Sequence, residues 1–283
     1  MSYIERMDRR ISVRTYSLDA PDGDLLSQIK RIVEKKRKGP FGKTYSLVLM
    51  DTKGESLSDI GKMTSYGVIK DARYYFGGYS DGDDRSIIDF GYCFEEILLE
   101  LTALDLGTCW MGGTFGRGFI SRMLSLPENK VIPAISPVGY SLEKRAFADK
   151  LTRFIAGSKK RKPHQKLFYN YAGEDSLQPV LLEEMRPPLG EILESVRSAP
   201  SASNKQPWRL IIQNNHYHFY WDFDSKYNSM IRGFNIQALD MGIALCHFTK
   251  AAEELRLGGK LSYSDPHFEN VKWKYVLSWK VNK

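Results

Sequence analysis

A chain of 283 residues with 42% apolar, 12% aromatic and 27% charged residues is long enough to bury a proper core, and this balance excludes a stapled mini-protein, a disordered chain, a collagen and a coiled-coil rod. Forty-one Lys and Arg against 34 Asp and Glu leave a formal charge of +7, a moderately basic surface that suits a phosphate-bearing partner such as a nucleic acid, a lipid headgroup or a cofactor. The three cysteines, Cys93, Cys109 and Cys246, form no CxxC pair, so neither a disulfide framework nor a cysteine zinc site is written here, and a reducing cytoplasm is the expected location.

In chain order, the amino terminus is charged from Glu5 onward and lacks the apolar stretch of a secretory signal. Arg9 to Arg14 then places Arg10, Ser12 and Arg14 at alternate positions. If extended, this stretch turns two guanidiniums and a hydroxyl to one side, which suits an anion; the plainer alternative is a solvated basic arm. A helix closes near Lys35-Lys36-Arg37-Lys38, where positive charge is favoured by the helix dipole, and leads to strands at Tyr45 to Met50 and Arg73 to Gly77. Gly78-Tyr-Ser80-Asp-Gly82 matches GxSxG, but Asp83 to Arg85 intervene before the next apolar run, so it reads as a turn. Asp81 to Asp84 resembles part of a calcium loop but has Tyr92 at its twelfth position, and belongs to the same turn.

The most apolar segment, Ile87 to Leu106, carries Asp89, Glu95, Glu96, Glu100 and Asp105, each costly in a bilayer, and reads as a buried helix of a soluble protein. It ends in Gly107 to Phe115, where the bare backbone of Gly112-Gly113 lets a planar ligand approach closely, although a Gly-Gly pair after a helix also serves as a simple cap and turn. A strand follows at Val131 to Tyr140, and Gly157 to Pro163, with Lys159, Lys160, Arg161 and Lys162, reads as a linker. Ala199 to Trp208 is the most specific stretch: Ser201, Ser203, Asn204 and Gln206 crowd hydrogen-bonding groups between Pro200 and Pro207, a loop able to grip a flat polar edge. Beyond it lie a hairpin, Trp208 to Gln213 with Tyr217 to Asp222 around Asn214-Asn215, a second long helix and a last strand at Lys272 to Lys280. His216 and His218 are expected at a strand edge facing solvent, and no P-loop, HExxH or metal-ligand spacing occurs.

Two of these runs repeat. Asp89-Phe-Gly91 opens one long helix and Leu104-Asp-Leu106-Gly107 closes it; Asp240-Met-Gly242 and Leu255-Arg-Leu257-Gly258 do the same at a constant offset of 151. Ile32, Glu34, Arg37 and Pro40 match Ile192, Glu194, Arg197 and Pro200 at an offset of 160. The chain therefore reads as two diverged copies of a helix, strand and long-helix unit, residues 1–163 and 164–283, in an α+β layer architecture, with Gly91 and Gly242 permitting the two long helices to approach each other.

Taken together, these segments resemble the nitroreductase superfamily of FMN-dependent oxidoreductases. Arg10, Ser12 and Arg14 look like that family's opening flavin-phosphate and ribityl motif; Pro200-Ser-Ala-Ser-Asn-Lys-Gln-Pro-Trp208 looks like its Pro-Ser-x-x-Asn-x-Gln-Pro-Trp loop; Leu106 to Gly113 looks like the glycine-rich segment beside the isoalloxazine; and Lys159 with Arg161 falls where a late basic pair often meets the phosphate. Ordinary members are homodimers with two interfacial FMN sites. The resemblance thus implies a nitroreductase-like fold in which one chain acts as a pseudo-dimer, a monomer mimicking a homodimer with one complete site.

That site would draw on Arg10, Ser12, Arg14, Gly112, Gly113, Lys159 and Arg161 from the first copy and Pro200, Ser201, Ala202, Asn204 and Gln206 from the second. The implied activity is hydride transfer from NADH or NADPH to FMN, then electron delivery to a nitro, quinone or similar small-molecule acceptor, with neither nucleic acid nor membrane as partner. Ile11 and Ser203 depart from the family's usual residues, and Thr64 to Lys70 does not match cleanly, leaving Ser65 and Lys70 as weaker candidates. Two other classes stay open: a flavin-binding store or sensor, and a nucleic-acid binder using the two basic runs.

Overall fold

The computed structural model describes residues 1–281 except 57, 58, 60, 62–67, 114, 143–160, 174, 175, 182–184, 186, 230 and 232. Its helices are α1 (Tyr3–Arg9), α2 (Gly23–Glu34), α3 (Asp84–Thr102), α4 (Arg117–Met123), α5 (Leu189–Ser198), α6 (Ser225–Asn228) and α7 (Ile236–Glu254). Its strands are β1 (Arg37–Lys38), β2 (Thr44–Tyr45), β3 (Val48–Asp51), β4 (Tyr74–Gly77), β5 (Gly107–Thr108), β6 (Ile135–Gly139), β7 (Phe168–Tyr171), β8 (Leu177–Pro179), β9 (Trp208–Gln213), β10 (His216–Trp221), β11 (Lys260–Ser262) and β12 (Lys274–Lys280).

The strands form a four-stranded sheet in the order β3-β4-β6-β5, a six-stranded sheet in the order β11-β12-β10-β9-β7-β8, and the small pair β1-β2. In β4, Tyr74 and Phe76 face the main core while Tyr75 faces a second cluster around Val13, Tyr16, Met111, Phe119 and Ile135, the two-residue alternation of a strand covered on both sides. Asn214 and Asn215 take φ of 49° and 59°, the left-handed pair that a two-residue hairpin between β9 and β10 demands.

At the centre, α3 and α7 pack on each other and join residues of both larger sheets in one core. The helices touch where side chains are missing: a Cβ on Gly91 would sit 2.6 Å from the Leu239 carbonyl oxygen, and one on Gly242 would press on the Ile88 carbonyl. Asp83 starts α3 by accepting a hydrogen bond from Ser86 N at 3.1 Å. Deeper in, the fully buried Glu95 accepts hydrogen bonds from His247 Nε2 at 3.0 Å and Trp110 Nε1 at 2.6 Å, with Arg10 Nε 3.8 Å away. Burial alone would push this carboxyl up, but His247, Arg10 and Trp110 outweigh it and hold it below the usual range.

Several expectations need revision. The strand expected at Tyr45 to Met50 is broken into β2 and β3, only Ile135–Gly139 of the Val131 to Tyr140 run is a strand, and β7, β8 and β11 were not anticipated. β10 is not an edge strand but lies between β9 and β12, and His218 does not face solvent: it is 4% exposed, its Nδ1 is 2.7 Å from Ser278 Oγ, the Phe268 ring stands 5.7 Å from its own, and burial lowers its pKa to about 4. Ser80 of the GxSxG match is buried and shares a 2.8 Å hydrogen bond with Tyr45 Oη, as befits a structural turn. Among the described residues no helix is long and apolar enough to cross a membrane.

Candidate functional site

The stretch after α1 runs extended beside β5: Val13 N donates to Thr108 O at 2.9 Å and Tyr16 N to Lys70 O at 3.1 Å. With Val13 and Tyr16 turned into the second core, the alternation leaves Ser12 and Arg14 on the open side. There they line a cavity of about 520 Å³ together with Gly112 and Gly113, which follow Cys109 and Trp110 on the same wall. Pro200, Ser201, Ala202 and Ser203 close it opposite, and α7 supplies Ile236, Leu239, Asp240 and Ile243.

The Pro200–Pro207 loop keeps its shape through its own polar groups. Ser203, Asn204 and Gln206 have φ of 48°, 54° and 45°, a left-handed path that non-glycine residues hold only when tied down. The ties are Ala202 N to Asp240 Oδ1 at 2.8 Å, Gln206 N to Ser201 Oγ at 3.0 Å, and Tyr227 Oη to Ser203 Oγ at 2.9 Å. Gln206 is itself fully buried, its Oε1 accepting from Lys162 N at 2.7 Å and its Nε2 donating to Arg197 O at 3.2 Å.

Seven of the residues expected from the sequence therefore meet at one cavity: Ser12, Arg14, Gly112, Gly113, Pro200, Ser201 and Ala202. Arg161 and Asn204 meet each other instead, Arg161 Nη1 donating to Asn204 Oδ1 at 2.7 Å and Nη2 to Ser198 O at 2.8 Å. Burial, reinforced by the positive charges of Arg10 and Arg197 and opposed by Glu194, lowers the Arg161 guanidinium to about 10. Arg10 is turned toward Glu95 with Nη1 buried and unpaired, and Gln206 braces the loop from beneath rather than lining the cavity. Lys70 N donates to Arg14 O at 2.8 Å, while Lys159 and Ser65 lie outside the described residues.

Sequence reasoning missed the α7 wall and Tyr227 with Ile231, which also line the cavity. Helix α7 is buried almost all round, so its apolar pattern singles out no face; Asp240, an acid in such a helix, is the one signal that stood in view. Among the described residues no cluster of three or more His, Cys, Asp or Glu could hold a metal ion.

Comparison with known proteins bears on this geometry. The family model described as "Putative TM nitroreductase" matches residues 2–252. The chain belongs to this nitroreductase family. A "putative nitroreductase" from Thermotoga maritima MSB8, 21% identical, has a similar fold at a TM-score of 0.62, the match covering 100% of this chain and 95% of that one. A nitroreductase family protein from Clostridium novyi NT is 19% identical with a TM-score of 0.43, covering 51% of this chain and 88% of its own. An FMN-dependent nitroreductase from Clostridium difficile R20291 is 22% identical with a TM-score of 0.42, covering 50% and 88%. No curated protein matches the chain.

Proposed function

We propose that this nitroreductase-family chain is an FMN-dependent NAD(P)H oxidoreductase built from two diverged copies, 1–163 and 164–283, with one complete flavin site. The observation that carries the reading is a cavity walled by both halves: Ser12, Arg14, Gly112 and Gly113 on one side, Pro200, Ser201, Ala202 and α7 on the other. Its volume of about 520 Å³ lies within the range of small-ligand sites.

The residues present fit the cofactor. Trp110, Ile236, Leu239 and Ile243 offer an apolar wall to a ring face, and the slot is narrow at the glycines, where a Cβ on Gly113 would come within 3.1 Å of Ile231 Cδ1. Ser12, Arg14 and Ser201 provide the polar rim. The buried Arg161, whose charged form burial and the nearby guanidiniums disfavour, suits a phosphate dianion as its partner. Bound FMN would supply the redox chemistry, taking a hydride from NADH or NADPH and delivering electrons to a nitro, quinone or similar small acceptor in alternating half-reactions. The protein's own part is to orient the ring, keep water from the apolar wall and set Arg14 where positive charge favours electron-rich states of the site.

The geometry of α3 and α7 favours the two-copy reading. Each is 19 residues long, they touch through Gly91 and Gly242, and Asn235 Nδ2 donates to Asp84 Oδ1 at 2.7 Å, both pairs 151 residues apart. Equivalent residues meet one another only along a two-fold axis, as at the interface of a symmetric dimer. Asp89 and Asp240, at the same offset, each hold the loop in front of their helix: Asp89 accepts from Phe41 N at 2.6 Å and Lys43 N at 2.8 Å. At the equivalent position beside α3 the side chains differ: Arg85, the counterpart of Ile236, stacks over the rings of Phe41 and Tyr263 at 5.4 Å and 4.9 Å, which supports one flavin per chain and a monomer in the role of a dimer.

We assign the protein to a reducing cytoplasm, and the partner we assign is a small electron acceptor rather than nucleic acid or membrane. Anaerobic addition of NADH or NADPH to the FMN-loaded protein, followed by a quinone, tests the activity. Bleaching of the flavin and its recovery on adding the acceptor is the expected result. Flavin that stays oxidised under both nucleotides would replace the enzyme by a flavin store.

A further inference from the structure

Asp240 stands in a helix whose neighbours Ile236, Ala238, Leu239, Met241 and Ile243 are buried apolar side chains. It is 2% exposed and lines the cavity. One carboxyl oxygen, Oδ1, accepts the Ala202 N–H; the other, Oδ2, is buried and has no hydrogen-bond partner. Asp89, its counterpart, has both oxygens engaged by backbone N–H groups of the shorter first loop. The longer second loop supplies one such group and leaves Oδ2 over.

A buried carboxylate with one hydrogen bond and no countercharge is costly, and the group responds by keeping its proton. Burial pushes the Asp240 carboxyl well above the ordinary carboxylate range, opposed by the Ala202 N–H alone. On the facing α3, Asp84 pairs with Lys274, Arg85 stacks on Phe41 and Tyr263, and Asp89 holds Phe41 N; Arg14, Cys109 and Tyr227 are the other ionisable groups lining the cavity.

We propose that Asp240 meets the occupant of the cavity as a neutral carboxylic acid, its Oδ2–H donating a hydrogen bond to an acceptor atom on the edge of a planar heterocycle, either a ring carbonyl oxygen or an unprotonated ring nitrogen. The inference rests on the FMN reading above, since an isoalloxazine edge carries acceptors of both kinds. It gives the site a donor that is lost when Asp240 ionises, because a carboxylate repels the same acceptor atoms. Affinity for the ring therefore falls as pH rises through the titration of Asp240.

The test compares wild-type apoprotein with Asp240→Asn and Asp240→Leu, using FMN fluorescence titrations from about pH 5 to about pH 9 and infrared difference spectra with and without FMN. Wild type should show a carboxylic-acid C=O band that moves to lower frequency on FMN binding and is missing in Asp240→Asn. Asp240→Asn, a permanent donor, should bind FMN about as tightly as wild type wherever Asp240 keeps its proton, and Asp240→Leu should be weaker by about tenfold throughout. An Asp240→Leu protein that binds FMN as tightly as wild type, or a wild type whose band ignores FMN, would overturn the role of Asp240 and leave the FMN reading standing. Wild-type apoprotein that takes up no FMN would overturn both.

Discussion

Replacing Gly242 by alanine probes the contact on which both the core and the cavity depend. The new Cβ would press on the Ile88 carbonyl oxygen and lie 2.6 Å from Tyr92 N and 3.0 Å from Gly91 C, all backbone atoms of α3 that cannot rotate aside. Overpacking of this kind costs about 3 kcal/mol, and the better helix propensity of alanine offsets about 1 kcal/mol, leaving a net loss of about 2 kcal/mol. For a chain of this size that is a Tm lower by about 4–8 °C. Helix α7 also carries Leu239, Asp240 and Ile243 into the cavity, so FMN affinity should fall with stability. Gly118→Ala is the control: it lies within α4 with nothing inside 4 Å of its Cβ, and should be neutral or stabilising by about 0.5–1 kcal/mol. Thermal and urea unfolding of both variants decides the matter, and a Gly242→Ala protein as stable as wild type would refute the close helix contact.

Three further outcomes follow from single sites. His218 has a pKa lowered from 6.5 to about 4, so below pH 6.5 the unfolded chain takes up a proton that the folded chain refuses; stability is constant above that pH and drops by about 3 kcal/mol as pH falls toward 4. His218→Asn should flatten this slope in urea titrations, and parallel wild-type and variant curves would contradict it. Gln206→Leu strands Lys162 N and Arg197 O beneath the loop, and should cost about 2–4 kcal/mol in the apoprotein, before any ligand is involved; an effect confined to FMN binding would place Gln206 at the cofactor instead. Ser201→Ala removes the acceptor of Gln206 N at the cavity wall and should weaken FMN by about fivefold to tenfold in fluorescence titrations, with an unchanged Kd as the opposing result.

The sequence was most readable where a local rule acts alone. The apolar run from Ile87 to Leu106 located α3, Asn214-Asn215 located the hairpin, and Gly91 and Gly242 announced the helix contact, because each depends on residues within a few positions or on an absent side chain. Strand neighbours were not readable. His218 departs from the expectation because Ser278 and Phe268, about fifty to sixty residues on, pack against its ring, and contacts so far along the chain leave no trace in the alternation of one strand. The same holds at the cavity: Ser12, Gly112 and Ser201 belong to motifs, whereas Asp240, Ile236 and Tyr227 reach it only through the way α7 and the second loop pack. Gln206 and Arg10, read as ligand contacts, have buried partners of their own that a motif does not reveal.

The flavin content of the purified chain, measured with its mass in solution, tests the central claim most directly. The account predicts a monomer that binds one FMN per chain, identified after denaturation, because the cavity beside α7 is open while beside α3 Arg85 stacks on Phe41 and Tyr263 where α7 has Ile236. Two FMN per chain, or a colourless protein that also takes up no added FMN, would contradict it.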